Sequence, residues 1–213
     1  MTLPGPAAHG ALLVIDVQRD FADPAHLGWV DEDGLAAVAT AVQRTGELVD
    51  AFRAAGVPVV WVRLEQTPDQ PWESSRWLRG LTADTPWPAE EPCVQGSAGV
   101  EWFELSPAPG ETVVSKRGYS AFLGTELDQV LRDAGVQWLC TAGLTTECCV
   151  LASTLDAAQL GYRVLVAADA VASYTAAEHG AALGILAAHA ARLTSSTELR
   201  HALGDGLTRA VAS

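Results

Sequence analysis

Short apolar runs recur along this 213-residue chain, and they indicate buried β-strands. The clearest covers residues 11–15, which are apolar at every position and stop at Asp16. A continuous run of this length is typical of a central parallel strand that is covered on both faces. The sequence therefore predicts six strands, over residues 11–15, 57–62, 111–115, 137–142, 163–167 and 192–195.

Most of the segments between these strands have apolar residues at helical spacing or a helix-start signal. Apolar residues recur at helical spacing within 34–55, and Gly56 is placed to end that helix. Thr175 and Glu178 have the capping-box spacing, which predicts a helix start. Further helices are predicted over residues 126–134, 146–160 and 175–190. This alternation predicts an α/β fold with three layers, in which about six parallel strands form a Rossmann-like sheet with helices on both faces.

One long stretch, residues 64–110, does not follow this alternation. It holds seven of the eleven prolines and four of the seven tryptophans. We expect it to form an irregular cover over the crevice, because a stretch this long without regular structure usually serves function or an interface. Its aromatic residues could equally pack a loop or a subunit contact. The candidate pocket walls are Trp72, Trp77 and Trp87. Residues 1–9 are expected to form a loose tail, and 1–213 a single domain.

Composition narrows the class of partner. The formal net charge is −13 and no basic cluster is present, which argues against nucleic acid or an anionic membrane surface as the main partner. No secretory signal or membrane-spanning stretch is evident, so a soluble cytoplasmic protein is expected. The four cysteines lack metal-ligand spacing, and reduced thiols fit that compartment.

Three predicted strands end in residues that could form a reactive set. Lys116 is the only lysine, whereas the other twelve basic residues are arginine. An ammonium can be desolvated and aimed as a point charge in a way that a guanidinium cannot. Asp16 and Cys149 also follow predicted strands, and ligands of open α/β sheets bind outside the carboxyl ends of the strands. An acid, an amine and a thiol are therefore expected in one crevice.

The choice between the adjacent cysteines rests on helical geometry. Both fall in the first turn of the helix predicted over 146–160, where free N–H groups and the helix dipole stabilise a thiolate. Cys148 shares a helical face with Leu151 and Leu155, so we expect it in the core, while Cys149 projects about 100° away. Spacing alone leaves the reactivity of Cys149 open.

Three motifs together resemble the isochorismatase-like cysteine hydrolases. They are Asp16-Val17-Gln18-Arg19-Asp20-Phe21, Lys116 in Lys-Arg-Gly-Tyr-Ser-Ala-Phe, and the stretch Gly143-Leu144-Thr145-Thr146-Glu147-Cys148-Cys149-Val150. The resemblance implies a catalytic triad of Asp16, Lys116 and Cys149, and a cis peptide bond at Leu144–Thr145. It also implies that the N–H groups of Thr145 and Cys149 stabilise an oxyanion. Lys116 would favour the charged thiolate and carboxylate.

The resemblance also suggests a branch and a substrate class. Metal-dependent nicotinamidases of the family carry an Asp-x-His-Pro-type ligand set after the second strand, and residues 63–69 lack it. Residues 119–122 and 93–97 are similar to the ureidoacrylate, N-carbamoyl and small-amide hydrolases, although Gln95 stands where many of those have Glu. No metal or other cofactor is expected. The candidate substrate-binding residues are Gln18, Phe21, Trp77, Tyr119 and Phe122.

The hypothesis is a metal-independent cysteine amidohydrolase that acts on a C–N bond of a small carboxamide, ureido or carbamoyl compound through a thioester. Ammonia or an amine would leave. Two alternatives are a vinyl ether hydrolase, which would not need Cys149, and a non-catalytic or redox-sensing binding module. The resemblance implies a homo-oligomer.

Overall fold

The computed structural model describes residues 1–82, 84–87 and 91–211, with side chains up to residue 204. Its centre is a six-stranded sheet in the order β3-β2-β1-β4-β5-β6, in which every neighbouring pair is parallel. The strands are β1 Gly10–Ile15, β2 Val59–Leu64, β3 Thr112–Lys116, β4 Trp138–Leu144, β5 Arg163–Ala172 and β6 Ala191–Thr194. All six predicted strands are present, and the predicted fold class is confirmed.

Seven α-helices connect or flank these strands in the described part of the chain. They are α1 Arg19–Ala22, α2 Glu32–Ala54, α3 Glu73–Leu78, α4 Leu127–Asp133, α5 Leu151–Gln159, α6 Ala176–His189 and α7 Ser196–Val211. A π-helical turn, Thr146–Val150, leads directly into α5. No described helix has the length and apolar character to span a membrane.

Side chains alternate between two cores, one on each face of the sheet. Leu12 and Val14 of β1 face the core that contains α2 and α7, whereas Leu13 and Ile15 face the core that contains α4, α5 and α6. Both cores are closed to water: these four residues of β1 are fully buried. The sheet is therefore covered on both faces, as the continuous apolar runs predict.

Local signals account for the main helix starts. The Asp31 carboxylate accepts a hydrogen bond from Gly34 N at 2.8 Å and caps α2. The Thr175 hydroxyl likewise accepts from Glu178 N, which confirms the predicted cap of α6. Helix α7 lies beyond the predicted elements. Leu199 and Leu203 hold it against the core on the α2 face.

The stretch over 64–110 is mainly irregular where it is described. It contains the short helix α3 and a 3-10 turn, Ala98–Val100. Isolated bridges join Gln66 to Val94 and Gln18 to Trp102, so this stretch is tied to the carboxyl edge of the sheet. The start of the chain is less loose than predicted, because the indole of Trp138 donates a hydrogen bond to the carbonyl of Pro6 at 2.9 Å.

Candidate active site

Asp16 lies directly beyond the carboxyl end of β1. Its φ is +52°, a left-handed conformation that is uncommon outside glycine but tolerated better by Asp than by most residues. The simple alternation of β1 would turn residue 16 towards the α2 face. Because rotation about φ redirects the Cβ atom, the carboxylate instead reaches Lys116, and it is fully buried there. Left-handed non-glycine residues in a core are often held for a functional reason.

Lys116 is the last residue of β3 and joins the other two members of the predicted triad. Its Nζ lies 2.7 Å from Oδ2 of Asp16 and 3.3 Å from Sγ of Cys149. It also donates a hydrogen bond to the carbonyl oxygen of Gly118 at 2.9 Å. The ammonium is fully buried, so its contact with Asp16 is an ion pair shielded from water. The three strand-end residues are thus in mutual contact through one cation.

Cys149 faces inward, and Cys148 is the more exposed of the two. Cys149 is 6% exposed and packs in the core on the α5 face, whereas Cys148 is partly buried. The prediction that Cys148 is the core residue is wrong. The first turn is π-helical and has more residues per turn than an α-helix, so a 3.6-residue extrapolation back from Leu151 fails. The inner face of α5 carries Ser153, Thr154 and Ala157 instead.

The electrostatics of the triad differ from the sequence expectation. A hydrogen bond with Cys148, burial and the charge of Asp16 raise the pKa of the Cys149 thiol well above its usual range, and Lys116 only partly opposes them. The expected low-pKa thiolate is therefore wrong for the resting site. Burial raises the pKa of Asp16 despite the attraction of Lys116. Burial lowers the pKa of Lys116, but Asp16 and Cys149 outweigh it and the net pKa is raised.

These pKa shifts favour a neutral Cys149 thiol and a charged Lys116 ammonium beside the buried carboxyl group of Asp16. Neither carboxylate oxygen of Asp16 accepts a well-aligned hydrogen bond within the described residues, although Nζ of Lys116 is close enough for a charge contact. A carboxylate with lone pairs to spare and a raised pKa is a competent proton acceptor. The arrangement can move the proton of Cys149 onto Asp16 while Lys116 stabilises the resulting thiolate.

The remaining two cysteines are not placed for nucleophilic chemistry. Cys93 and Cys140 are fully buried, as expected from the sequence. Burial is the main cause that raises the pKa of both thiols. All four cysteines are free thiols.

The Leu144–Thr145 peptide bond is cis, at the position that the family resemblance implies. Just before it, Gly143 has φ +111°, and a Cβ atom there would lie 2.1 Å from the carbonyl oxygen of Ile15. Only glycine lets β4 approach the end of β1 this closely. The carbonyl of Thr145 accepts hydrogen bonds from Cys148 N and Val150 N, so this residue anchors the turn that carries Cys149.

The predicted substrate-binding role of Gln18 is wrong. This side chain is fully buried, and its amide is used by the backbone. Oε1 accepts a hydrogen bond from Leu64 N, while Nε2 donates to the carbonyls of Leu64 and Val100. Gln18 therefore holds the cover stretch against the end of β2.

The four aromatic residues predicted to bind substrate differ in exposure and in their distance from the thiols. Trp77 is 80% exposed, and Phe122 packs in the core with Tyr162, just before the amino end of β5. The roles of Trp77 and Phe122 in substrate binding stay predictions. Tyr119 lies near the thiols, because Cys148 and Cys149 both contribute to raising its pKa after burial itself. Phe21 is partly buried against the α2-side core.

The cover stretch places its three candidate pocket walls differently. Trp72 and Trp87 are partly buried, and Trp77 is not. The rings of Trp72 and Tyr119 meet edge to face, with centroids 4.5 Å apart. Trp72 thus contacts Tyr119, which lies near the two thiols. Its role as a pocket wall stays a prediction.

Sequence reasoning missed a polar cluster beside the triad. Glu147 accepts hydrogen bonds from the hydroxyls of Thr145 and Ser173, and Thr146 bonds to Nδ1 of His179 at 2.9 Å. Burial lowers the pKa of His179. The signal was available at Glu147, an acid within an otherwise apolar and hydroxyl-bearing motif. Ser173 was hidden because β5 extends to Ala172 rather than to the predicted 167.

The described residues include a cleft of about 570 Å³ on the neighbouring side of this cluster. It runs between the start of α2 and the β5–α6 connection, with Ser173, Tyr174 and His179 in its wall. This cleft is not lined by Asp16, Lys116 or Cys149. Its volume is therefore not that of a pocket at these three residues. No group of three or more His, Cys, Asp or Glu side chains in the described ranges is arranged to hold a metal ion.

Comparison with known proteins identifies the lineage. The family model for the isochorismatase domain matches residues 10–198. The ureidoacrylate amidohydrolase RutB of Methylobacterium radiotolerans is 32% identical over 171 residues, which are 75% of this chain and 65% of that protein. The chain thus spans slightly less than two thirds of that relative.

Two further comparisons agree. The maleamate amidohydrolase of Pseudomonas putida is 29% identical over 174 residues, which cover 81% of this chain and 76% of the relative. The crystal structure of a cysteine hydrolase from Pseudomonas syringae pv. phaseolicola superposes with a TM-score of 0.82 at 25% identity and covers 96% of both chains.

Proposed function

Because the chain belongs to the isochorismatase family, we propose that it is a cysteine amidohydrolase that cleaves a C–N bond of a small carboxamide, ureido or carbamoyl compound. The relatives named ureidoacrylate and maleamate amidohydrolase support the C–N bond as the target. The reaction runs without a metal, through a thioester, and releases ammonia or an amine.

The observation that carries this proposal is the position of the single lysine. Nζ of Lys116 is 2.7 Å from the Asp16 carboxylate and 3.3 Å from the Cys149 sulfur, and the ammonium and the carboxylate are fully buried. A buried charge of this kind is expensive unless it is paired, and here one cation serves both an acid and a thiol. A purely structural ion pair would not require a cysteine as the third partner.

The chemistry follows from the protonation states. Asp16 accepts the thiol proton of Cys149, and the thiolate attacks the carbonyl carbon of the substrate. The tetrahedral intermediate collapses as Asp16 returns the proton to the departing nitrogen, which leaves as ammonia or an amine. Water then attacks the thioester with Asp16 as base, the acid product leaves, and the thiol is restored. Lys116 stabilises the negative charge on whichever partner holds it.

The developing oxyanion needs donors, and the start of the π-turn supplies candidates. We assign this role to the backbone N–H groups of Thr145 and Cys149. The first N–H groups of a helix lack partners within the helix and carry its positive dipole end. The nucleophile and a donor then belong to the same residue, so a substrate carbonyl that meets Sγ is held beside its N–H group.

The substrate is small because the reacting groups are buried and Tyr119 and Trp72 stand at their outer side. Tyr119 offers both a ring face and a hydroxyl, which suits a planar amide or ureido group. A homo-oligomer remains part of the proposal at the level of the family.

The test is ammonia release from a panel of small amides, ureido acids, carbamoyl amines, biuret and nicotinamide. Cys149→Ala should abolish release, and the matched control Cys148→Ala should retain it, because only Cys149 contacts Lys116. Dialysis against a chelator should leave the activity of the parent unchanged. Release that survives Cys149→Ala would overturn the nucleophile, and cleavage of a vinyl ether by that variant would establish the alternative reaction.

A further inference from the structure

Glu147 links the ends of two strands through one carboxylate. Its Oε1 accepts a hydrogen bond from the hydroxyl of Thr145 at 2.8 Å, and its Oε2 accepts one from the hydroxyl of Ser173. Thr145 directly follows β4, and Ser173 directly follows β5. Thr145 is 7% exposed and Ser173 is 2% exposed, so both hydroxyls lie in the protein interior.

The residue that Glu147 holds is the one on which the turn is built. Thr145 is the second residue of the cis peptide bond, and its carbonyl accepts from Cys148 N at 3.2 Å and from Val150 N at 3.1 Å. The side chain of Thr145 is thus fixed through Glu147 and its carbonyl through the turn. These two contacts hold the Cα atom of Thr145, to which its N–H group is attached.

A carboxylate can accept a hydrogen bond from each of the two hydroxyls at once. A hydroxyl that donates to Glu147 needs an acceptor oxygen, and a glutamate offers two. A glutamine at this position would offer one acceptor oxygen and one NH₂ group, so it could satisfy only one of the two hydroxyls as a donor. The contact therefore predicts a difference between Glu and Gln that size and shape alone would not produce.

We propose that Glu147 is a positioning residue that aims the Thr145 N–H group at the oxyanion formed when Cys149 attacks a carbonyl. This inference rests on the proposed cysteine hydrolase function and names a residue that assists its first chemical step. Glu147 touches neither the thiol proton nor Lys116 in the described contacts, so its effect is confined to the carbonyl side of the reaction.

Two reagents separate that effect from the activation of the thiol. p-Nitrophenyl acetate acylates a cysteine through a tetrahedral oxyanion, after which p-nitrophenolate leaves and acetyl-cysteine remains. Iodoacetamide alkylates the same sulfur by direct displacement of iodide, with no oxyanion. The rate of p-nitrophenolate release in a single turnover and the rate of alkylation of Cys149 therefore report the two halves of the site.

We expect Glu147→Gln and Thr145→Val each to slow acylation by about 10-fold to 100-fold, the scale of a displaced oxyanion donor. Alkylation of Cys149 should stay near the parent rate in both. The double variant should be no slower than the slower single variant, because both changes remove the same contact. The matched control is Glu178→Gln, which changes a carboxylate that also accepts a threonine hydroxyl, that of Thr175, at the start of α6.

The outcomes are distinct. Acylation that falls while alkylation holds supports the inference. A parallel fall of both rates assigns Glu147 to the fold alone, and unchanged acylation removes it from the reaction; either result overturns the inference. If the parent shows no p-nitrophenolate release that depends on Cys149, the proposed function itself has failed.

Discussion

Removal of the ammonium at Lys116 tests the electrostatic design of the site most directly. Lys116→Met keeps an unbranched chain of similar length but leaves the Asp16 carboxylate buried without its cation. The unit charges are 2.7 Å apart, which at an effective dielectric constant of about 20 corresponds to an attraction of about 6 kcal/mol. The measured loss should be smaller, roughly 3–5 kcal/mol at neutral pH, because Asp16 can become protonated when it is left alone.

The pH dependence of this loss has a definite sign. Without Lys116, the folded-state pKa of Asp16 rises further above its unfolded value of 3.8. A carboxyl group with a raised pKa costs no stability below its unfolded pKa, and the cost grows as the pH rises through the folded pKa. The destabilisation by Lys116→Met should therefore shrink as the pH falls from about 7 towards 4. Asp16→Asn has no carboxyl group at this position and should lack this trend.

Urea unfolding at several pH values, for the parent, both single variants and the double variant Asp16→Asn/Lys116→Met, measures the effect. The double variant should recover part of the stability, because it leaves no unpaired charge, yet it should remain inactive. A loss below about 1 kcal/mol for Lys116→Met, which is the range of an exposed pair, would refute the reasoning. A double variant whose loss equals the sum of the single losses would refute the coupling.

Two further predictions concern stability away from the triad. Contacts with Arg53 are the main reason that the pKa of Glu111 is lowered to about 2. The stabilisation is therefore present above about pH 4.5 and lost as the pH falls towards 2; Glu111→Gln should remove about 2 kcal/mol at neutral pH and flatten acid unfolding. Gly143→Ala should cost at least about 2 kcal/mol in thermal or urea unfolding, because its Cβ would meet the backbone of Ile15. The control Gly184→Ala lies in open space on α6 and should stabilise slightly. An acid unfolding transition that Glu111→Gln leaves unchanged would contradict the role of the contact with Arg53. Unchanged stability of Gly143→Ala would contradict the close approach to Ile15.

The sequence could predict the sheet because its signal is local. A strand buried on both faces must be apolar at nearly every position, and the run before Asp16 satisfies this condition. The run before Lys116 forms an edge strand and is buried only at alternate positions. Parallel strands end at one edge, so the residues that follow them could be expected to meet. The meeting of Asp16, Lys116 and Cys149 was predictable on these grounds together with the family motifs, and the contacts of Lys116 agree with that expectation.

The arrangement within the first turn of the nucleophile helix could not be predicted. Helical periodicity assumes a constant 3.6 residues per turn, and the π-helical turn at Thr146–Val150 changes that count where the two cysteines lie. The inward face of α5 also carries polar residues. One of them is Ser153, whose hydroxyl accepts a hydrogen bond from Ala121 N. Periodicity therefore assigned the wrong burial to both thiols, and the choice of Cys149 as the nucleophile stays a prediction.

The sequence by itself determined the layers, the strand ends and the residue types available for chemistry, because these depend on apolar patterning and on order along the chain. Only the tertiary structure decided which side chains form hydrogen bonds with the backbone, as Gln18 does. It also decided which polar groups meet, as Glu147 and Ser173 do. It likewise decided the electrostatic surroundings of Asp16, Lys116 and Cys149. The pKa values of Asp16 and Cys149 depend on burial and on charges from three separate strand ends, and these distances exist only after the chain has folded.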